Sequence, residues 1–103
     1  MSRIIEDTDL LYRHKYDWSK PAAGPEEKLD RDNGNDMLEF LNDVLESNPP
    51  WGTVQGRQLE VMIKIYLPQG IEQKPAVKRW IFANLDDLID DVDAIIMDMG
   101  NRV

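Results

Sequence analysis

The sequence predicts an α+β fold, a small and mainly antiparallel sheet of three to four strands packed by two amphipathic helices at about 36–47 and 85–99. Three observations lead there. Apolar residues recur at helical spacing near the C-terminus and again mid-chain, and other stretches alternate apolar and polar residues with the period of a strand. The length of 103 residues suits one domain, 1–103, with a single core.

The C-terminal helix is the firmest element. On a helix, Leu85, Leu88, Ile89, Val92, Ile95, Ile96 and Met99 fall in one arc. Asp86, Asp87, Asp90, Asp91, Asp93 and Asp98 fall opposite, joined by Ala94 and Met97. Asn84 is the expected N-cap, with Asp87 completing a weak Asn-x-x-Asp capping box, and Gly100 is the expected terminator. Like charges one turn apart, such as Asp86 and Asp90, cost a few tenths of a kcal/mol each. Burial of seven large apolar side chains at roughly 1.5–3 kcal/mol each outweighs that cost, so the helix is expected to form.

The other elements are read in chain order. Leu10, Tyr12, His14, Tyr16 and Trp18 alternate with Leu11, Arg13, Lys15 and Asp17, which predicts a strand at about 10–18. His14 is expected to pack among Tyr12, Tyr16 and Trp18. Residues 19–35 hold two prolines and two glycines and read as a long polar loop, with a possible helical turn at Pro25–Leu29. A helix follows at about 36–47, capped by Asn33 or Asn35. Met37, Leu38, Phe40, Leu41, Val44 and Leu45 form its apolar arc, and Glu39, Asn42, Asp43 and Glu46 lie opposite. Asn48-Pro49-Pro50 stops it. From Trp51 to Pro68 the pattern reads as a hairpin, with a short strand at 51–54, a turn at Gln55-Gly56 and a long strand at about 57–67. In that strand Leu59, Val61, Ile63 and Ile65 point inward, and Glu60, Met62, Lys64 and Tyr66 are partly exposed. After a loop at 71–77, Val77–Phe82 reads as a last strand leading into the final helix.

The chemistry of the chain excludes several function classes. Net charge is −8, which disfavours direct binding to nucleic acid or an anionic membrane. No apolar run approaches the roughly 18–20 residues that span a bilayer, and the acidic N-terminus lacks the apolar segment of a signal peptide. There is no cysteine, which removes disulfides and thiol chemistry. A cytoplasmic protein is expected.

A single histidine between Arg13 and Lys15 offers no orienting carboxylate, and the glycines form no phosphate cradle. The run Asp30-Arg31-Asp32-Asn33-Gly34-Asn35-Asp36 invites comparison with a calcium loop. Counted from Asp30, however, Gly34 is fifth and Glu39 tenth, where that loop needs glycine sixth and glutamate twelfth. An Asx-rich turn capping the helix is the better reading. No catalytic residue, no metal ligand and no cofactor is expected.

What remains is charge. Asp86, Asp87, Asp90, Asp91, Asp93 and Asp98, with Glu39, Asp43 and Glu46 of the earlier helix, are the expected partner-binding residues. The expected function is non-enzymatic: binding and inhibiting or regulating a basic macromolecular partner, such as a nuclease or nucleic-acid-binding protein. Immunity proteins and phage-type inhibitors that imitate nucleic acid illustrate it by analogy. The alternative is a small acidic dimeric secretion or assembly chaperone, its surface drawn from Tyr12, Tyr16, Trp18, Trp51, Tyr66 and Trp80. Either a monomer or a homodimer suits these readings.

Overall fold

The computed structural model describes residues 4–24 and 26–100. Of these, 62% are helical and only 4% pair as strand. Three helices make up the frame: α1 at Gly34–Glu46, α2 at Thr53–Val61 and α3 at Lys74–Gly100. No sheet forms among the described residues; strand pairing is limited to isolated bridges between Asp17 and Asn33 and between Lys28 and Gln73. The expected α+β fold is therefore replaced by a three-helix core, and the described residues before α1 wrap it as an irregular strap.

Helix α1 forms for the reasons legible in its residues. Asn33 caps it, its side-chain oxygen accepting from the Asp36 N–H at 3.2 Å. Met37, Leu38, Phe40, Leu41, Val44 and Leu45 are all at most 3% exposed. Asn48 and the two prolines end the helix, and the Asn48 amide donates back to the Val44 carbonyl.

Helix α2 occupies the stretch expected to be a hairpin. Its N-terminus is closed by Gln55, whose side-chain oxygen accepts from the Gly52 N–H. The buried positions Gly56, Leu59, Glu60, Ile63 and Leu67 follow helical spacing. The alternation of Leu59, Val61, Ile63 and Ile65 hides that spacing, because the stripe contains a buried acid that pattern reading counts as exposed. Ile65, expected inside, is 49% exposed, while Met62, expected to be partly exposed, is wholly buried. Past Val61 the helix widens into a π-helical turn, Met62–Tyr66, closed by the Leu67 N–H on the Met62 carbonyl at 2.9 Å.

The strand expected at Val77–Phe82 is the first part of α3. Lys74, Val77 and Ile81 are its buried residues there, again at helical spacing, and Pro75 lies in the first turn, where a missing N–H is harmless. Asn84, expected to cap a helix start, lies inside α3 and donates to the Trp80 carbonyl. Asp86 and Asp87 consequently stand more than ten residues from the N-terminal end of the dipole. Gly100, the expected terminator, is still helical.

The strand expected at 10–18 is absent, and the reason is where its backbone hydrogen bonds go. The N–H groups of Leu11 and Tyr12 donate to the Glu60 carboxylate, at 2.6 and 3.2 Å, and residues Arg13–Lys15 form a 3-10 turn. Tyr16 and Leu10 are buried, but His14, expected among the aromatics, is exposed. The turn considered at Pro25–Leu29 begins on a residue outside those described, and Glu26–Leu29 is not helical.

An irregular strap has no ladder of its own, so its polar backbone must be satisfied by other groups. Side chains, most of them from the frame, do this at many points along its described residues. Asn42 accepts from the Ile4 and Ile5 N–H groups and donates to the Ile5 carbonyl. Arg57 donates to the Asp9 carbonyl. Asn35 reaches the carbonyls of Trp18 and Lys20, and Asn33 that of Pro21. Asp36 accepts from the Ala23 and Asp30 N–H groups, and Lys74 donates to the Ala23 and Gly24 carbonyls. Asp36 and Lys74, 0% and 4% exposed at their side chains, also pair with each other at 2.5 Å. Every buried side-chain nitrogen or oxygen among the described residues has a partner. Gly34 is required by close packing: a Cβ there would come within 2.5 Å of the Trp18 ring.

Candidate partner-binding face

The nine acids singled out from the sequence are all exposed, but the fold divides them into two groups. Glu39, Asp43 and Glu46 lie on α1, and their field is partly answered by cations of α3. Lys78 pairs with Asp43, and Glu39 and Asp43 share a hollow of about 180 Å³ with Ala23, Phe40 and Lys74. The six aspartates of α3 begin two turns beyond Lys78. Among the described residues no ion pair involves Asp86, Asp87, Asp90 or Asp91. Asp93 accepts from the Gln58 amide of α2 at 2.9 Å, and Asp98 is exposed near the C-terminal end of the helix.

A rigid helix holds this row. Asp86 and Asp90, and likewise Asp87 and Asp91, stand one turn apart, about 5–6 Å at their Cβ atoms. Their carboxylates therefore superpose their fields on one strip of surface in high-dielectric solvent. Such an array attracts cations at long range and is weakened by salt.

The apolar arc of the same helix is less covered than its residues led one to expect. Of the seven large side chains, Val92 is buried, and Leu85, Leu88, Ile89, Ile95, Ile96 and Met99 are half-buried. Phe82 and Met97 are 49% and 69% exposed, and Val54 on α2 is 62% exposed. Phe82 stacks on Trp51 with ring centroids 5.9 Å apart and planes 21° from parallel. Trp51 is one of the aromatics the sequence offers for a surface; Phe82 and Val54 show their exposure only once α2 and α3 are docked.

The strongly perturbed groups lie elsewhere, under the strap. Burial raises the Glu60 carboxyl above its ordinary range, against the opposing effect of the Tyr16 hydroxyl, two backbone N–H groups and Lys64. Burial and the adjacent carboxylate raise Tyr16, whose hydroxyl donates to Glu60 at 2.6 Å. Lys64 is lowered, chiefly by burial; its ammonium lies 4.8 Å from the Tyr16 ring centroid and donates to the Arg31 carbonyl. A polar hollow of about 440 Å³ opens beside it, lined by Leu29, Arg31, Asp32, Lys64, Gln69 and Glu72. Its two cations are already engaged with carbonyls: Arg31 donates to those of Leu67 and Pro68, clamping the turn before α3. Perturbed titration here reflects strap anchoring. Sequence reading missed Glu60 because an acid in an alternating run looks solvent-facing.

No helix among the described residues is long and apolar enough to cross a membrane. No protein-family model, curated protein or solved structure matches this chain, so its function is read from its own surface.

Proposed function

We propose that this chain is a non-enzymatic binding protein whose α3 aspartates engage a basic macromolecular partner and inhibit or regulate it, as an immunity protein or nucleic-acid mimic does. The observation that supports this is the set Asp86, Asp87, Asp90 and Asp91: exposed, without an ion pair among the described residues, and fixed on one helix. Carboxylates on a preformed helix lose little entropy on binding, and their field steers a cationic surface toward them. A net charge of −8 repels nucleic acid and anionic membranes, so the partner is a protein. A cytoplasmic setting suits a cysteine-free acidic chain.

Capture from a cell lysate on the wild type, beside an Asp87→Lys, Asp90→Lys, Asp91→Lys variant, tests the reading. A basic protein retained by the wild type at low salt, released by added salt and lost on the variant is the expected result. Identical capture by both proteins would sink it. The second reading, a small dimeric chaperone, is favoured by the exposed Val54, Phe82 and Met97, and light scattering decides the number of chains.

A further inference from the structure

The exposed apolar side chains of this protein are not scattered. Val54, Phe82 and Met97 are three of the five exposed large hydrophobics among the described residues, and Phe82 and Met97 bracket Asp86 and Asp90 on α3. On α3, Phe82, Asp86 and Asp90 succeed one another by one turn, and Met97 follows two turns later. On α2, Val54 and Gln58 are one turn apart, and Gln58 reaches Asp93. At the other end Trp51, three residues before Val54, stacks on Phe82. The seam between α2 and α3 therefore runs from an aromatic end at Trp51 and Phe82 to a carboxylate at Asp93. Along its rim, exposed Val54 and Phe82 at the aromatic end give way to Asp86 and Asp90, with Met97 one turn beyond Asp93.

We infer that this seam is a docking surface for a cationic amphipathic helix, one presenting apolar side chains to Trp51, Val54 and Phe82 and Lys or Arg side chains to Asp86 and Asp90. The inference rests on the proposed acidic-face reading and specifies its partner. Charge complementarity selects the occupant. A second copy of this chain would bring another row of aspartates toward the first at −8 net charge per chain, whereas a cationic helix neutralises Asp86 and Asp90 while covering the apolar groups beside them. An apolar anchor covered by a partner is also where a few side chains dominate affinity, because the contacts around it keep water out.

The probes are two synthetic peptides of about 18 residues, five helical turns, with equal Lys and Arg content. One carries Leu and Trp along a single face; the other carries Ser and Gln there. Fluorescence anisotropy with the whole chain should show the amphipathic peptide binding about tenfold more tightly or better. A Phe82→Ser variant should remove that preference and keep the weak, salt-sensitive binding shared by both peptides. Because Phe82 also stacks on Trp51, a Val54→Ser, Met97→Ser variant repeats the test on side chains that are largely in solvent, with circular dichroism to check folding. Asp86→Lys with Asp90→Lys should weaken both peptides.

Equal binding of the two peptides overturns this inference and leaves the acidic-face reading standing. Absence of binding by either overturns both. Concentration-dependent dimerisation that is lost in the Val54→Ser, Met97→Ser variant would give the seam to a second copy and overturn the cationic helix.

Discussion

The strap and the outer face of α3 use the same residue type for opposite purposes. Asp36, fully buried, is surrounded by two strap N–H groups and the Lys74 ammonium. Asp86 and Asp90, exposed to water, have no such partners among the described residues. A buried carboxylate without a counter-charge is strongly destabilising, so its surroundings must be complete. A hydrated carboxylate is tolerated without a partner, so a row of them can remain available for something else. Burial separates structural charge from charge that is free to bind.

Breaking the buried side should have the largest effect. Lys74→Met leaves Asp36 buried without its cation and should destabilise the fold by about 3–5 kcal/mol, read from the urea midpoint. A loss below about 1 kcal/mol would mean that the two strap N–H groups alone satisfy Asp36.

Glu60 sharpens the comparison, because it is a buried acid that makes no ion pair among the described residues, with only the Lys64 charge acting on it from further off. Glu60→Gln keeps one acceptor oxygen but points an amide at groups that donate, and should cost about 1–3 kcal/mol. The pH dependence has a definite sign. A carboxyl raised above its ordinary 4.5 in the folded chain contributes stability that is full below the unfolded value and is lost as pH rises through the folded one. The wild type's advantage over Glu60→Gln should therefore shrink as pH increases above about 4.5, measured by paired denaturation curves. An advantage that grows with pH would show that the three donors and Lys64 outweigh burial.

The smallest effect is expected on the exposed side. Asp86→Asn with Asp90→Asn relieves the like-charge contact between them and those of Asp90 with Asp87 and Asp93, and should leave stability unchanged or raise it by a few tenths of a kcal/mol. A loss of more than about 1 kcal/mol would give these aspartates a structural role and dissolve the contrast with Asp36.

Helix α1 was legible almost residue by residue, since Asn33, the apolar arc and the two prolines are local signals. So was the division of the C-terminal helix into apolar and aspartate faces. The hairpin expectation failed over α2 because β-branched residues at alternate positions gave a period-two pattern. The helical stripe becomes visible only once Glu60 is counted as buried. The strand expectation at 10–18 failed for a related reason: Leu11 and Tyr12 give their N–H groups to an acid far along the chain, which no local window reveals. Glu39, Asp43 and Glu46 were grouped with the α3 aspartates by charge alone, and Lys78 separates them.

By itself, the sequence determined composition-level properties and short-range ones: the acidity, the absence of cysteine, one helix with its cap, and a two-faced C-terminal helix. Those depend on residue identity and on neighbours within a few positions. Tertiary structure decided which polar groups lie inside, that the described residues before α1 form a strap rather than a strand and a loose loop, and that Val54, Phe82 and Met97 stay uncovered. These outcomes depend on hydrogen bonds and packing between residues that lie tens of positions apart. Their energies are comparable to local propensity, and only docking of the helices brings them into play.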